Sequence, residues 1–122
     1  MEAASALTVV QAYLDGIAAR DWQRARGCLA DRDFKYVSPL ESYDSADRLI
    51  TSLMRVDTIM KDVQQRRAFS DGDDVCIIMD FRTTLEELAV TRLALWATVR
   101  DGRIGRLELF FDARAYMGMF GA

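Results

Sequence analysis

The sequence predicts an α+β fold: a curved antiparallel sheet with three helices from the N-terminal half grouped against one face. Three observations point there. Apolar residues recur at helical spacing through the first half of the chain, and the period changes to two in the second half, where turn signals separate strand-like runs. The chain has 122 residues, the size of one domain, without repeat, low-complexity run or dividing linker. Residues 1–122 are therefore read as a single domain.

Taking the elements in order, Leu7, Val10, Leu14 and Ile17 fall on one helix face, with Val9 and Tyr13 beside them. Asp21 is placed to cap a second, short helix whose apolar stripe is Trp22, Ala25, Cys28 and Leu29. Phe34–Ser38 alternates as a short strand that Pro39 stops. Asp44 or Ser45 caps a third helix, with Ala46, Leu49, Ile50, Leu53 and Met54 as its inner face. From Val63 to Asp112 four strand-like runs follow. Their turns are Ser70-Asp71-Gly72-Asp73, the weaker Thr84-Leu85-Glu86-Glu87, and Asp101-Gly102, whose Asp-Gly pair favours a tight hairpin.

These strands are apolar on both faces. Val75, Ile77, Met79 and Phe81 share one face, yet Cys76 and Ile78 make the other apolar too; Ala94, Trp96 and Phe110 do the same on later strands. A sheet covered by helices on one side only is expected to be polar on the other. A second copy of the chain is the simplest cover, so a homodimer through the Trp96 and Phe110 face is expected.

Composition narrows the chemistry. The chain has no His and two Cys, Cys28 and Cys76, which leaves no His-based triad or His-ligated metal and no disulfide framework; no metal and no cofactor is expected. Sixteen basic against 19 acidic residues give a net charge of -3. The one local basic cluster, Arg66-Arg67, reads as exposed strand arginines, so nucleic acid is not an expected partner. No stretch reaches the roughly 20 apolar residues that span a bilayer. The first ten residues lack the basic region of a signal peptide, and the expectation is a cytoplasmic, soluble protein without a membrane role.

Five segments carry a resemblance that runs through nearly the whole chain: Val9-Val10-Gln11-Ala12-Tyr13, Ala19-Arg20-Asp21-Trp22, Leu29-Ala30-Asp31, Tyr36-Val37-Ser38-Pro39, and Asp101-Gly102-Arg103-Ile104 through Phe111-Asp112. In this order the sequence resembles the nuclear transport factor 2-like superfamily, which includes SnoaL-like polyketide cyclases, ketosteroid isomerases and limonene-epoxide hydrolases. The resemblance implies a cone-shaped domain, its curved antiparallel sheet wrapped around the three helices, with a mostly apolar pocket inside the cone, often in a dimer. It places Tyr13 where ketosteroid isomerases carry an oxyanion-hole Tyr. Their base position falls on Ser38 and their second oxyanion donor on Leu95, neither of which supports that reaction. The epoxide-hydrolase acid of the last strand falls on Leu109, and in place of an Arg-x-Asp pair the chain offers Asp80-x-Arg82. Leu95 and Leu109 are thus expected to line the pocket as apolar walls.

Asp80 sits within the apolar run Cys76–Phe81. Desolvation there would raise its pKa toward a useful acid or base; the alternative is a structural ion pair, with Arg92 as partner. Tyr13 is expected to donate to a ligand oxygen, or else to pack as a core tyrosine. Phe34, Tyr36 and Ser38 alternate onto one face and offer two hydroxyls on an aromatic wall, plain core packing being the alternative. Asp112 reads as a cap for a closing turn or helix. Met117, Met119 and Phe120 form an apolar tail that closes the pocket or meets a partner. Cys28 and Cys76 read as small hydrophobes. Three functions follow: a cofactor-free isomerase, cyclase or hydrolase acting on an apolar, oxygenated small molecule with Asp80 and Tyr13 as catalytic groups; a ligand-binding module without turnover; or a dimeric interaction domain.

Overall fold

A computed structural model describes residues 5–86 and 89–120, with side chains described as far as 117. Helix α1 spans Ala6–Ala18, α2 Trp22–Gly27, α3 Ala46–Val56 and α4 Arg114–Phe120; the strands are β1 Lys35–Val37, β2 Ser42–Tyr43, β3 Met60–Asp71, β4 Asp74–Thr83, β5 Val90–Arg100 and β6 Arg103–Phe110. The six strands form one curved, unclosed sheet in the order β2-β1-β6-β5-β4-β3. All neighbours are antiparallel except β1 and β6, which run parallel.

The caps explain where the helices start. Ser5, Asp21 and Ser45 each accept a backbone N–H from the first turn, from Thr8, Arg24 and Arg48 respectively, satisfying donors the helix itself leaves unpaired. The hairpins follow the turn chemistry. Asp101 and Gly102 both have positive φ, 54° and 77°, as a two-residue type I′ turn between paired Arg100 and Arg103 requires. Gly72 supplies the positive φ of 61° between β3 and β4.

Period-two alternation turns Val75, Ile77 and Met79 of β4 and Leu95, Ala97 and Val99 of β5 onto the helices, and a register shift in the β5–β6 pair sets Ile104 on the same face as Leu107; all are buried with Val10, Leu14, Ile17, Leu29 and Leu49. Gly16 lets α1 meet α2 at backbone distance, since a Cβ there would lie 2.9 Å from the Ala25 nitrogen.

Four details differ from the sequence reading. Met54 is 50% exposed, because α3 is short and only its Ala46, Leu49 and Ile50 side reaches the core. Helix α2 stops at Gly27, so Cys28 is its C-cap and Leu29 leaves the helix to bridge Ile104 in parallel. β2, too short to show a period, was not anticipated, and the β1–β6 pair is parallel where the expected strand order was antiparallel. Asp112 accepts the Arg114 backbone N–H at 3.1 Å and pairs with its guanidinium at the start of α4. Glu87 and the side chains of Met119 and Phe120 lie outside the described residues.

Candidate functional site

Between α1, α3 and the inner face of the sheet lies a cavity of about 90 Å³. Its floor is buried: Tyr13 and Ile17 from α1, Leu49 from α3, Tyr36 from β1, and Met79, Leu95 and Leu107 from the sheet. Its rim is half-buried, formed by Trp22, Leu53, Val56, Val63, Phe81, Leu93 and Leu109. The strand register builds this wall directly, since Leu95 opposes Leu109 and Val63 opposes Phe81 on the inner face. The rim's corner between α3 and β3 is held by Arg20, whose guanidinium donates to Asp57 Oδ1 at 2.6 Å and to the Met60 carbonyl at 2.9 Å.

Among the described lining residues the polar side-chain groups are two phenol hydroxyls, on Tyr13 and Tyr36, and one indole N–H, on Trp22 at the rim. Burial pushes the Tyr13 hydroxyl well above the ordinary phenol range, and burial raises Tyr36 to about 12. Both therefore stay protonated and serve as hydrogen-bond donors at any physiological pH. The Tyr13 hydroxyl meets no hydrogen-bond partner among the described residues. Tyr36 stacks on Tyr43 with centroids 5.7 Å apart; Tyr43 in turn donates to Glu41 at 2.5 Å, and Glu41 also accepts from Ser52. This chain of contacts fixes the Tyr36 ring from behind.

The anticipated residues separate into two groups. Tyr13, Tyr36, Leu95 and Leu109 meet at the cavity. Phe34 is buried in the core away from the lining, and Ser38, half-buried near the Tyr36 hydroxyl, is not among the lining residues; its hydroxyl organises the 38–41 turn, accepting the N–H groups of Leu40 and Glu41. Asp80 lies on the opposite face of the sheet. Strand alternation that points Met79 and Phe81 inward points Asp80 outward, opposite Arg92 on β5. Its carboxylate accepts from Arg92 Nε at 2.8 Å and from Arg66 at 3.3 Å. Arg92 foremost holds the acid below its ordinary range, the reverse of the rise that desolvation alone would give. Of the two readings of Asp80, the geometry matches the ion pair.

The sequence reading passed over Trp22, Leu53, Val56, Val63 and Leu93 as lining residues. Leu93 shares the β5 face of Leu95 and was legible by alternation. Val63 was not, because irregularities at 60–62 and 65–67 interrupt the period of β3. Among the described residues no cluster of three or more His, Cys, Asp or Glu side chains is placed to hold a metal, and no helix is long and apolar enough to cross a membrane.

No family model matches the sequence, and no curated protein does. Solved structures do match. An NTF2-like protein from Burkholderia thailandensis superposes with a TM-score of 0.81 at 16% identity, over 98% of this chain and 99% of its own. An LEH-like epoxide hydrolase from M. tuberculosis matches with a TM-score of 0.77 at 22% identity, over 93% and 86%. A candidate polyketide cyclase from Sinorhizobium meliloti matches at 0.76 and 17%, over 84% and 93%. The chain has the nuclear transport factor 2-like fold that its five segments implied; at these identities the likeness is one of fold.

Proposed function

We propose that the protein binds a small, uncharged, mainly apolar molecule carrying one hydrogen-bond-accepting oxygen inside the cone. The observation that carries this reading is the cavity wall: apolar throughout, with the Tyr13 hydroxyl unpartnered among the described residues and Tyr36 beside it. Two neutral phenols recognise a carbonyl, ether or hydroxyl oxygen, whereas a charged ligand would find no counter-charge in the wall. Drug-sized ligands occupy pockets of roughly 300–1,000 Å³, so a cavity of about 90 Å³ suits a single small ring, admitted by movement of the half-buried rim. Neighbours of this fold named as a polyketide cyclase candidate and an epoxide hydrolase are compatible with an oxygenated ligand. With Asp80 outside and no carboxylate among the described lining residues, binding is favoured over acid–base turnover.

Titration with cyclohexanone, followed by Trp22 fluorescence, tests this. Saturable uptake is expected, weakened about fivefold by Tyr13→Phe or Tyr36→Phe, the loss of one net hydrogen bond. Uptake that ignores both substitutions would refute the phenol contacts, and absence of uptake would refute the pocket reading.

The outer face supports a second copy of the chain as partner. Phe69, Trp96 and Phe110 are 49%, 41% and 48% exposed, and their strand register puts them on the side away from the helices with Cys76, Ile78 and Ala94. The same face carries both charges, Arg66 and Arg92 around Asp80, and Arg106 beside Glu108. A face that mixes signs around an apolar centre is complementary to itself across a two-fold axis.

A further inference from the structure

A second concavity, of about 430 Å³, lies toward the β5–β6 hairpin and shares no lining residue with the cavity described above. It is built where β6 changes partners. Ile104 is bridged to Leu29, and two residues later Arg106 pairs with Lys35. The five residues from Ala30 to Phe34 thus span a single step of β6, and the chain arches away at 31–33, with Asp33 in the left-handed conformation at φ 56°. On the other side of β6, Thr98 opposes Arg106 while Val99 opposes Ile104, which leaves Gly105 as an extra, bulged residue.

The charges here are only partly balanced, Arg103 by Asp31 and Arg106 by Glu108. Arg100 opposes Arg103 across the hairpin, and Lys35 opposes Arg106 across the parallel pair; like charges directly opposite one another destabilise a sheet. Arg32 adds a fifth cation. Of the three acids in the cleft, Asp31 is already taken by Arg26 and Arg103, which leaves Asp33 and Asp101. Among the described residues, Arg32, Lys35 and Arg100 have no carboxylate within ion-pair distance. Three of the chain's unpaired cations therefore converge on one cleft of a protein whose net charge is -3.

Gly105 is the second, independent observation. Its φ is not in the left-handed region, and a Cβ built on it would touch nothing within 4 Å. Neither turn geometry nor packing calls for glycine at this place, where it weakens a strand. A strand glycine facing open space lets another group approach the backbone closely.

We propose that this cleft binds the phosphoryl group of a small phosphorylated molecule. Guanidinium forks from Arg100 and Arg103 flank the anion, Lys35 and Arg32 complete its charge, and the bare backbone at Gly105 admits it. A volume of about 430 Å³ accommodates a molecule of nucleotide size.

The test titrates the full chain with pyrophosphate, using citrate as a polycarboxylate of comparable charge, by calorimetry at low and at physiological salt. Saturable pyrophosphate binding is expected, weakened at least tenfold by Arg100→Ala. Gly105→Val, which changes no charge, is expected to abolish it, while Arg48→Ala on α3 leaves it intact. Pyrophosphate is also expected to raise the Tm of the wild type but not of Arg100→Ala, whose own Tm without ligand is no lower than that of the wild type. The proposal fails if pyrophosphate does not bind at millimolar concentration, if Arg48→Ala weakens it as much as Arg100→Ala, if Gly105→Val binds normally, or if citrate binds equally well.

Discussion

The two faces of the central sheet are made from the same strands and nearly the same residue types, yet they behave differently. On the inner face Val75, Ile77 and Ala97 are wholly excluded from water. On the outer face Phe69, Trp96 and Phe110 stay about half exposed, and polar groups beside them are tied in pairs: Trp96 Nε1 and Thr98 Oγ1 donate to Asp74, and Arg92 and Arg66 clasp Asp80. The inner face is held by packing and shaped around a cavity. The outer face is a patterned surface whose polar groups beside the aromatic residues are tied to one another. Asp80 teaches the difference: its sequence neighbours, Met79 and Phe81, belong to the other face, so the apolar run around it describes a medium its carboxylate does not occupy.

The contrast is sharpest under truncation of the inner face. Ile77→Ala is expected to cost about 2–5 kcal/mol in urea unfolding, through lost burial and the void left behind. A loss under 1 kcal/mol would mean that the inner face collapses readily into the void.

A smaller effect is expected at alkaline pH. Tyr36 keeps its proton to about 12 in the folded protein, against 10.0 for a free phenol. Above pH 10 the unfolded chain releases a proton that the folded chain retains, so stability falls as pH rises from 10 to 12, by roughly 3 kcal/mol from this residue. Tyr36→Phe should flatten that part of the curve; an unchanged slope would place the hydroxyl in water.

Asp80 has the opposite sign. Its folded pKa is depressed, so its contribution is present above the ordinary carboxylate range and is lost as pH falls through the lowered value. Asp80→Asn is expected to fold, to lower Tm modestly, to flatten the acid limb of stability, and to leave cyclohexanone affinity untouched. A changed ligand affinity would connect the two faces.

The smallest effect on folding is expected at Trp96. Trp96→Gln, which keeps a side-chain N–H donor for Asp74 and brings no charge beside Glu108, should alter the stability of the isolated chain by no more than about 1 kcal/mol while converting the proposed dimer to monomer in sedimentation. A dimer that survives would exclude this face as the contact.

Much of the scaffold was legible because local chemistry dictates it. Asp21 caps, Ser45 was one of two caps offered for α3, Asp101-Gly102 turns, and alternation divides β4 and β5 into two faces wherever the period is unbroken. Legibility failed where the period breaks or the segment is too short, at the β3 irregularities and at β2. Within the site, Tyr13, Leu95 and Leu109 were reached by position in the fold family's pattern, and Tyr36 by alternation. Ser38 is not among the lining residues: the strand ends at Val37 and its hydroxyl serves the following turn.

By itself, then, the sequence determined the order of α1 to α3 and of five of the six strands, the Asp21 cap, the Asp101-Gly102 hairpin and the apolar character of both sheet faces, all of which depend on residues within a few positions of one another. Only the tertiary structure decided which face received the helices, that Asp80 meets Arg92 and Arg66 instead of the cavity, and that Arg32, Lys35, Arg100, Arg103 and Arg106 gather in one cleft. Those outcomes depend on register and on pairings between segments far apart in the chain. Coulombic and packing forces act on distance in space, and folding sets that distance.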